Sequence, residues 1–302
     1  MMTKMEYHNP VLLKETVDGL NIKPDGVYVD VTFGGGGHSR EIMKRLGPNG
    51  KLFGFDQDED AQANIIDDER FVLIPENFRF IKRYLRFHGV KEVDGILGDL
   101  GVSSHQFDVA ERGFSTRFNA ALDMRMSKKN DLDAFKVVNE YDEAELKRVL
   151  FDYGELKNAG AMANVIVNAR RDAAITDGNQ LKAVLSRFLP GHKSNKILAQ
   201  IYQAIRIEVN QEMDVLKEFL VQSLEILKPG GRLSVISYHS LEDRLVKRFM
   251  RNGMFEGEPE RDFFGNFEVP FKSIEKLIVP TEEEIQINNR ARSAKLRVAE
   301  KK

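Results

Sequence analysis

The pattern of apolar and polar positions divides the chain into three stretches of different character. From Val11 to Asp99, short β-branched and aromatic runs at 27–31, 51–55, 71–74 and 93–98 alternate with segments of helical spacing at 11–20, 40–46, 59–67 and 76–89. Strands alternating with helices predict βαβ units and a parallel sheet. From about Glu111 the strand-like runs stop, and helical periodicity takes over in 141–151, 159–169, 179–188 and 195–209. The third stretch returns to the first pattern. A helix over 212–227, a Lys228-Pro229-Gly230-Gly231 turn and a strand over 232–237 lead to Tyr238-His239-Ser240, which opens another helix with His239 or Ser240 as its cap. The runs 276–280 and 294–299 are expected to pair as a closing antiparallel hairpin. The fold class that follows is α/β, with a core built from 1–110 and 212–302 and an all-helical domain, 111–211, inserted between them.

The first strand ends in an unusual way. Asp30-Val31-Thr32-Phe33 runs into four consecutive glycines, Gly34 to Gly37, and then directly into a helix. Glycine lets the backbone take positive φ and approach a ligand closely, while the first N–H groups of the following helix point into the same space. Gly34 and Gly36 supply a G-x-G, but His38 and Ser39 stand where a dinucleotide fingerprint needs its third glycine, which weakens a pyrophosphate cradle. A purely structural tight turn is the bland alternative. About 20 residues on, the second strand ends at Asp56, where a carboxylate can accept hydrogen bonds from two ribose hydroxyls. Asp56 is also open to a simpler reading, as part of an acidic helix start in which Asp58 or Asp60 caps. Asp30, Asp56 and Asp99 all end or nearly end strands, the edge of an open parallel sheet where ligands bind. Phe78, after the third strand, is either a base-stacking ring or a core anchor.

Composition narrows the partners. The 302 residues carry 45 Lys and Arg against 47 Asp and Glu, so a polyanion would have to be met by a local patch. The basic runs that qualify are 82–86, 244–251 and 290–297, with Arg290, Arg292 and Lys295 as RNA-positioning candidates. The absence of cysteine excludes disulfides, thiolate catalysis and Cys-ligated metals. No H-x-x-x-H or H-E-x-x-H pattern occurs, so no metal site is expected. The amino terminus lacks the features of a signal peptide and no run approaches the roughly 18 apolar residues of a membrane span, so a cytoplasmic protein without membrane partners is expected.

Several motifs together carry a resemblance. They are His8-Asn9-Pro10-Val11-Leu12-Leu13, the Asp30 to Ser39 loop, Asp99-Leu100-Gly101-Val102-Ser103-Ser104, Leu122-Asp123-Met124-Arg125-Met126, Ser237 to Asp243, and Arg290 to Arg297. In this order, spanning nearly the whole chain, they resemble the bacterial 16S ribosomal RNA cytosine-N4 methyltransferase family, RsmH or MraW. The resemblance implies a class I, Rossmann-like methyltransferase with a seven-stranded sheet, S-adenosyl-L-methionine as cofactor, and a cytidine of 16S rRNA in the small subunit, near the decoding centre, as substrate. It assigns Gly36, Gly37 and His38 to the cofactor loop, Asp56 to the ribose, Phe78 to the adenine side, and Asp99 and Gln106 to the rest of the cofactor pocket. It leaves a homodimer open and names no catalytic base. The chain departs from the family's wording at Tyr153-Gly154-Glu155-Leu156, at Gln200 to Arg206 and at Asn288-Asn289-Arg290, which bears on RNA contacts rather than on the cofactor.

Cytosine N4 is a poor nucleophile because its lone pair is delocalised into the ring, so acceptors for the amino protons would assist methyl transfer. Many amino-methyltransferases place an acid or amide before Pro-Pro-aromatic at the fourth strand. Here Asp99-Leu100-Gly101-Val102-Ser103-Ser104 has no proline, so backbone carbonyls with Ser103 or Ser104 are the expected acceptors, and Asp99 serves the cofactor side. Tyr238 and His239 are candidates for the base pocket, with a helix cap as the alternative for both. Two other readings stay open at this level: a nicotinamide-dependent oxidoreductase, and a ribosome-assembly module with a vestigial pocket.

Overall fold

The computed structural model describes residues 10–257, 259, 263 and 269–302. His8 and Asn9 of the first family-like motif lie outside them. The chain divides into two compact units, 1–101 with 213–302, and 102–212.

The first unit opens with helix α1 (Leu13–Gly19), strand β1 (Val27–Asp30), helix α2 (Gly37–Arg45) and strand β2 (Lys51–Phe55). Strand β3 (Phe71–Ile74), helix α3 (Ile81–Phe87) and strand β4 (Val93–Asp99) follow. The second unit holds α4 (Ser104–Asp108), α5 (Ala134–Glu140), α6 (Glu143–Asp152), α7 (Ala159–Ala169), α8 (Gly178–Val184) and α9 (Ser194–Asn210). The chain then continues through α10 (Glu212–Ile226), β5 (Leu227–Ser237), α11 (Ser240–Asn252), β6 (Phe271–Ser273), α12 (Glu282–Ile287) and β7 (Lys295–Lys301).

The strands form one seven-stranded sheet in the order β3-β2-β1-β4-β5-β7-β6. The first five are parallel, and β7 is antiparallel to both of its neighbours. Strands β1, β2 and β4 read as near-continuous apolar runs because helices cover both faces of a parallel sheet. One face packs Val29, Phe55, Ile81, Leu85 and Ile96 against Phe219 of α10, and the other packs Tyr28, Ile42, Leu52 and Leu97 against α1 and α2. The order reverses between β1 and β4, so the carboxyl ends of these strands border the crevice where α/β sheets bind ligands.

Three local expectations change. The predicted helix over 59–67 is a short 3-10 turn, Glu59–Asn64, capped by Asp58, whose side chain accepts from Asp60 N–H. At its end Asn64 Nδ2 donates to the Gly34 carbonyl, tying this turn to the glycine loop. The K-P-G-G turn lies inside β5 as a wide bulge. Val93 pairs with Leu227 and Gly95 with Arg232, so two steps on β4 oppose five on β5. Pro229 has no N–H for the ladder and Gly230 takes φ +76°, which confines the extra residues to this bulge. Finally, the ladder partners of β7 are β5 and β6, and the run 276–280 touches it only through an isolated bridge between Ile278 and Leu296. Pairing 276–280 as a full strand would compete with the Pro280-Thr281 start of α12, where Thr281 caps.

The helical unit has its own core, in which Val137, Leu146, Val149, Ala163, Leu181 and Ile201 are buried. Helix α7 contributes Ala159, Met162, Ala163 and Ile166 to it, and the long α9 contributes Leu198, Ile201, Tyr202, Ala204, Ile205 and Val209. Asn210, at the end of α9, clamps this unit: it accepts from Met126 N–H at 2.7 Å and donates to the carbonyls of Met124 and Arg206 at 2.8 and 2.9 Å.

Candidate active site

The site is built at the carboxyl ends of β1, β2, β4 and β5. At the tip of β1, Asp30 is 1% exposed. Its Oδ2 accepts from Ser39 Oγ at 2.7 Å, and its Oδ1 accepts from Thr32 N–H at 3.1 Å. Thr32 Oγ1 in turn accepts from Asp99 N–H at 2.6 Å. Asp30 is therefore a sealed brace that ties the first turn of α2 and the end of β4 to β1. Burial raises its pKa, and the Ser39 and Thr32 bonds offset part of that rise.

The glycine loop leaves β1 at Phe33 and turns at Gly34, with φ +49°, and Gly36, with φ +73°. Gly36 is the N-cap of α2, in the left-handed region that disfavours a side chain. At Gly37 the constraint is space, since a Cβ there would meet Pro10 Cγ at 2.1 Å. The loop carbonyls are held from one side: Asn64 Nδ2 donates to Gly34 at 3.0 Å and the Arg40 guanidinium donates to Gly35.

Asp56 closes the loop. Its Oδ2 accepts from Gly34 N–H at 2.7 Å and its Oδ1 from Asp58 N–H at 2.8 Å. Each oxygen keeps a further lone pair, and the residue is half-exposed. Surrounding protein desolvates the carboxylate and pushes its pKa up to about 6, against the two backbone donors that favour its ionised form. Next to it, Asn77 Nδ2 donates to Gln57 Oε1 at 2.9 Å and fixes the loop after β3 to the loop after β2. Phe78 follows Asn77 and is half-buried, its ring edge-on to Phe219 with centroids 5.3 Å apart. That contact belongs to the core-anchor alternative, while its remaining surface stays open.

The second half-open acid is Asp99. Its Oδ1 accepts from the Tyr238 hydroxyl at 2.8 Å, and its Oδ2 lies 3.9 Å from His38 Nδ1. His38 Nε2 is 3.1 Å from the Val11 carbonyl, which can only accept, so Nε2 carries the proton and Nδ1 presents a lone pair toward Asp99. Burial lowers the His38 pKa, outweighing the attraction of Asp99, and so favours the neutral ring. Asp99 is likewise pushed up to about 6 by desolvation, with His38 and Tyr238 opposing. Tyr238 is raised well above its ordinary value by burial and by the neighbouring carboxylate, so it remains a donor. His38 Nδ1 and Asp99 Oδ2 thus face each other as two acceptors, an arrangement that favours a donor or cation between them.

Of the expected residues, Gly36, Gly37, His38, Asp56, Phe78 and Asp99 all belong to the sheet unit. Gln106 belongs to the helical unit, where it is buried and its carboxamide oxygen accepts from Ser103 N–H at 3.1 Å. The Ser103 hydroxyl accepts from Gln106 N–H at 3.2 Å and completes a capping box on α4, so Ser103 is occupied as a cap. His239 is also a cap: its Nδ1 faces Glu242 N–H, while buried Glu242 accepts from Tyr238 and His239 N–H. Tyr238 is the member of that pair that reaches Asp99. Sequence reading passed over Thr32 and Ser39, although Asp-x-Thr is the spacing of a side-chain-to-backbone turn and signals a braced strand end.

The donor set fits S-adenosyl-L-methionine. A glycine cradle without side chains, one acid with free lone pairs and a second acceptor pair at the adjoining strand end match a cationic nucleoside with ribose hydroxyls and an ammonium group. The model of the MraW methylase family matches residues 5–302. Proteins named ribosomal RNA small subunit methyltransferase H are 77% identical in Flavobacterium johnsoniae over 301 residues, covering 100% of both chains. The corresponding protein of Flavobacterium psychrophilum is 76% identical, covering 96% of this chain and 100% of its own, and that of Christiangramia forsetii is 67% identical over 100% of both. With its antiparallel β7, its paired strand-end acids and this full-length match, the chain belongs to the MraW methylase family.

Proposed function

We propose that this protein transfers a methyl group from S-adenosyl-L-methionine to the exocyclic N4 of a cytidine in 16S rRNA near the decoding centre. The observation that carries this reading is the full-length likeness to relatives named for the small-subunit rRNA, combined with two half-open carboxylates at neighbouring strand tips. The bound cofactor supplies an electrophilic methyl carbon on a sulfonium.

The chain's own residues do the rest. Asp56, oriented by two backbone N–H groups, accepts the ribose hydroxyls. Gly36 and Gly37 leave room for the nucleoside, and Phe78 borders the adenine. Asp99 and His38 face the amino acid end, with Tyr238 holding Asp99 in position. Gln106 is carried as a cofactor-binding residue by the family resemblance alone, and 111–211 is the inserted helical domain. The N4 lone pair forms the new C–N bond as the methyl carbon's bond to sulfur breaks, leaving a neutral thioether; the amino nitrogen then releases one proton to solvent, and carbonyls of the 99–104 loop orient the amino group. Fixing donor and acceptor in line, away from water, is the main source of rate.

The test is transfer of labelled methyl to RNA of small subunits that lack the modification, followed by nucleoside analysis. Label on N4 of one cytidine is expected. Label on C5 or a ribose oxygen, or no transfer, overturns the reading.

A further inference from the structure

The corner where α3 meets β4 carries a feature that cofactor binding does not use. Phe87, the last residue of α3, is 83% exposed. Its ring lies edge-on to His88 at 5.4 Å, and the His88 ring lies 5.6 Å from that of Phe53. Beside it an open concavity of about 530 Å³ is lined by Arg86, Gly89 and Lys91. Gly89 takes φ +76°, a conformation that favours glycine, and the space beside it is open.

The charges around Phe87 are unbalanced. Between Asn77 and Val93 the sequence has Arg79, Lys82, Arg83, Arg86 and Lys91 against the single acid Glu92. Arg79 pairs with Glu218 and Lys82 with Glu225 on α10. Arg83, Arg86 and Lys91 have no acidic partner among the described residues, and Arg83, Arg86 and Phe87 are all exposed. The basic run at 290–297 is different, since Lys295 and Arg297 both spend their charge on Asp243. A basic residue in the last turn of a helix is favoured by the helix dipole, which accounts for Arg86 alone. It accounts neither for the exposed ring nor for Lys91, which lies beyond the helix.

We propose that this corner is a second RNA-docking surface, on which an unpaired segment of ribosomal RNA stacks a base on Phe87 and sets its phosphates on Arg83, Arg86 and Lys91. Exposed aromatic rings among cations are how proteins hold single-stranded nucleic acid. The helix α3 connects parallel strands and so runs against them, which puts Phe87 at the amino-terminal edge of the sheet. With seven residues in β4 at about 3.3 Å each, that edge lies about 20 Å from Asp99. The segment held here is therefore not the target cytidine but a distant part of the same folded RNA. The proposal rests on the rRNA substrate reading given above.

The experiment compares the intact protein with Phe87→Ala and with the triple variant Arg83→Gln, Arg86→Gln, Lys91→Gln, using unmodified small subunits as the probe. Phe87→Ala is expected to raise KM for subunits about tenfold with kcat unchanged. The triple variant should weaken binding and lower the slope of log affinity against log salt by about 2. Cofactor titration and thermal melting should match the wild type, since all four side chains are peripheral. Unchanged KM and unchanged salt slope in both variants overturn the proposal, and so does a change in self-association without a change in RNA affinity. If the wild type itself transfers no methyl to RNA, it is the substrate reading that fails; wild-type transfer with indifferent variants removes only the docking surface.

Discussion

The two units of this chain treat their buried and half-buried polar groups differently. In 102–212 they are closed on backbone. Asn210 is satisfied by three main-chain groups, Asn139 exchanges bonds with Ile175 and donates to Phe135, and Arg170 donates to the carbonyls of Val138 and Tyr141. At the strand ends of the sheet unit, Asp30 is closed in the same manner, but Asp56 and Asp99 are left with spare acceptor capacity and pKa values pushed up to about 6. A closed polar group repays its desolvation within the fold, whereas a half-closed one leaves that to a ligand. The contrast separates residues that brace the fold from those proposed to meet the cofactor.

The strongest way to break this comparison is to remove the open acids. Asp99→Ala is expected to lower methyl transfer by at least about a hundredfold, and Asp56→Ala to weaken S-adenosyl-L-methionine by about 10- to 100-fold, because bonds to a charged group are worth about 1.5–3 kcal/mol. Neither should lower the melting temperature much, as measured by calorimetry on the intact chain. Wild-type turnover in Asp99→Ala would take that residue out of the site. Removing a closed group should do the reverse. Asn210→Ala removes three hydrogen bonds to main-chain groups and should cost about 2–3 kcal/mol in denaturant unfolding, with cofactor affinity unchanged.

A smaller effect is expected from pH. Donors from a bound nucleoside favour the ionised carboxylates, so affinity should be flat above about pH 7 and fall as the acids take up protons through about 6. One group that must ionise gives about a tenfold loss at pH 5, with proton release on binding visible as a buffer-dependent heat. An affinity independent of pH between 5 and 7 would mean that the acids do not meet the ligand. The smallest effect belongs to Glu145→Ala, which opens the Asp142 capping box on α6; it should cost about 0.5–1 kcal/mol of stability and leave transfer untouched.

Much of the architecture was legible because it is written in short-range terms. The β-branched runs, the glycines after Phe33 and the Pro-Gly punctuation specify strand, loop and helix through contacts within a few residues, and the structure has β1, α2, β2, β3 and β4 where those patterns put them. The caps at Asp58 and His239 were likewise visible as local chemistry. The family motifs identified the chain before any coordinates, since they run in order along its whole length.

What the sequence alone determined, then, was the kind and order of elements and which acids stand at strand ends. Only the tertiary structure decided which of those acids is sealed. Asp30, Asp56 and Asp99 look equivalent along the chain, yet Ser39 and Thr32 close the first, and Tyr238, 139 residues away, holds the third. The same holds for β7, whose partners are fixed by sheet register, and for Phe87, whose apolar ring counts as a core residue until packing leaves it outside. Helix and strand periods arise from neighbours in sequence, but burial, pairing and the ionisation of a carboxylate depend on groups that folding alone brings together.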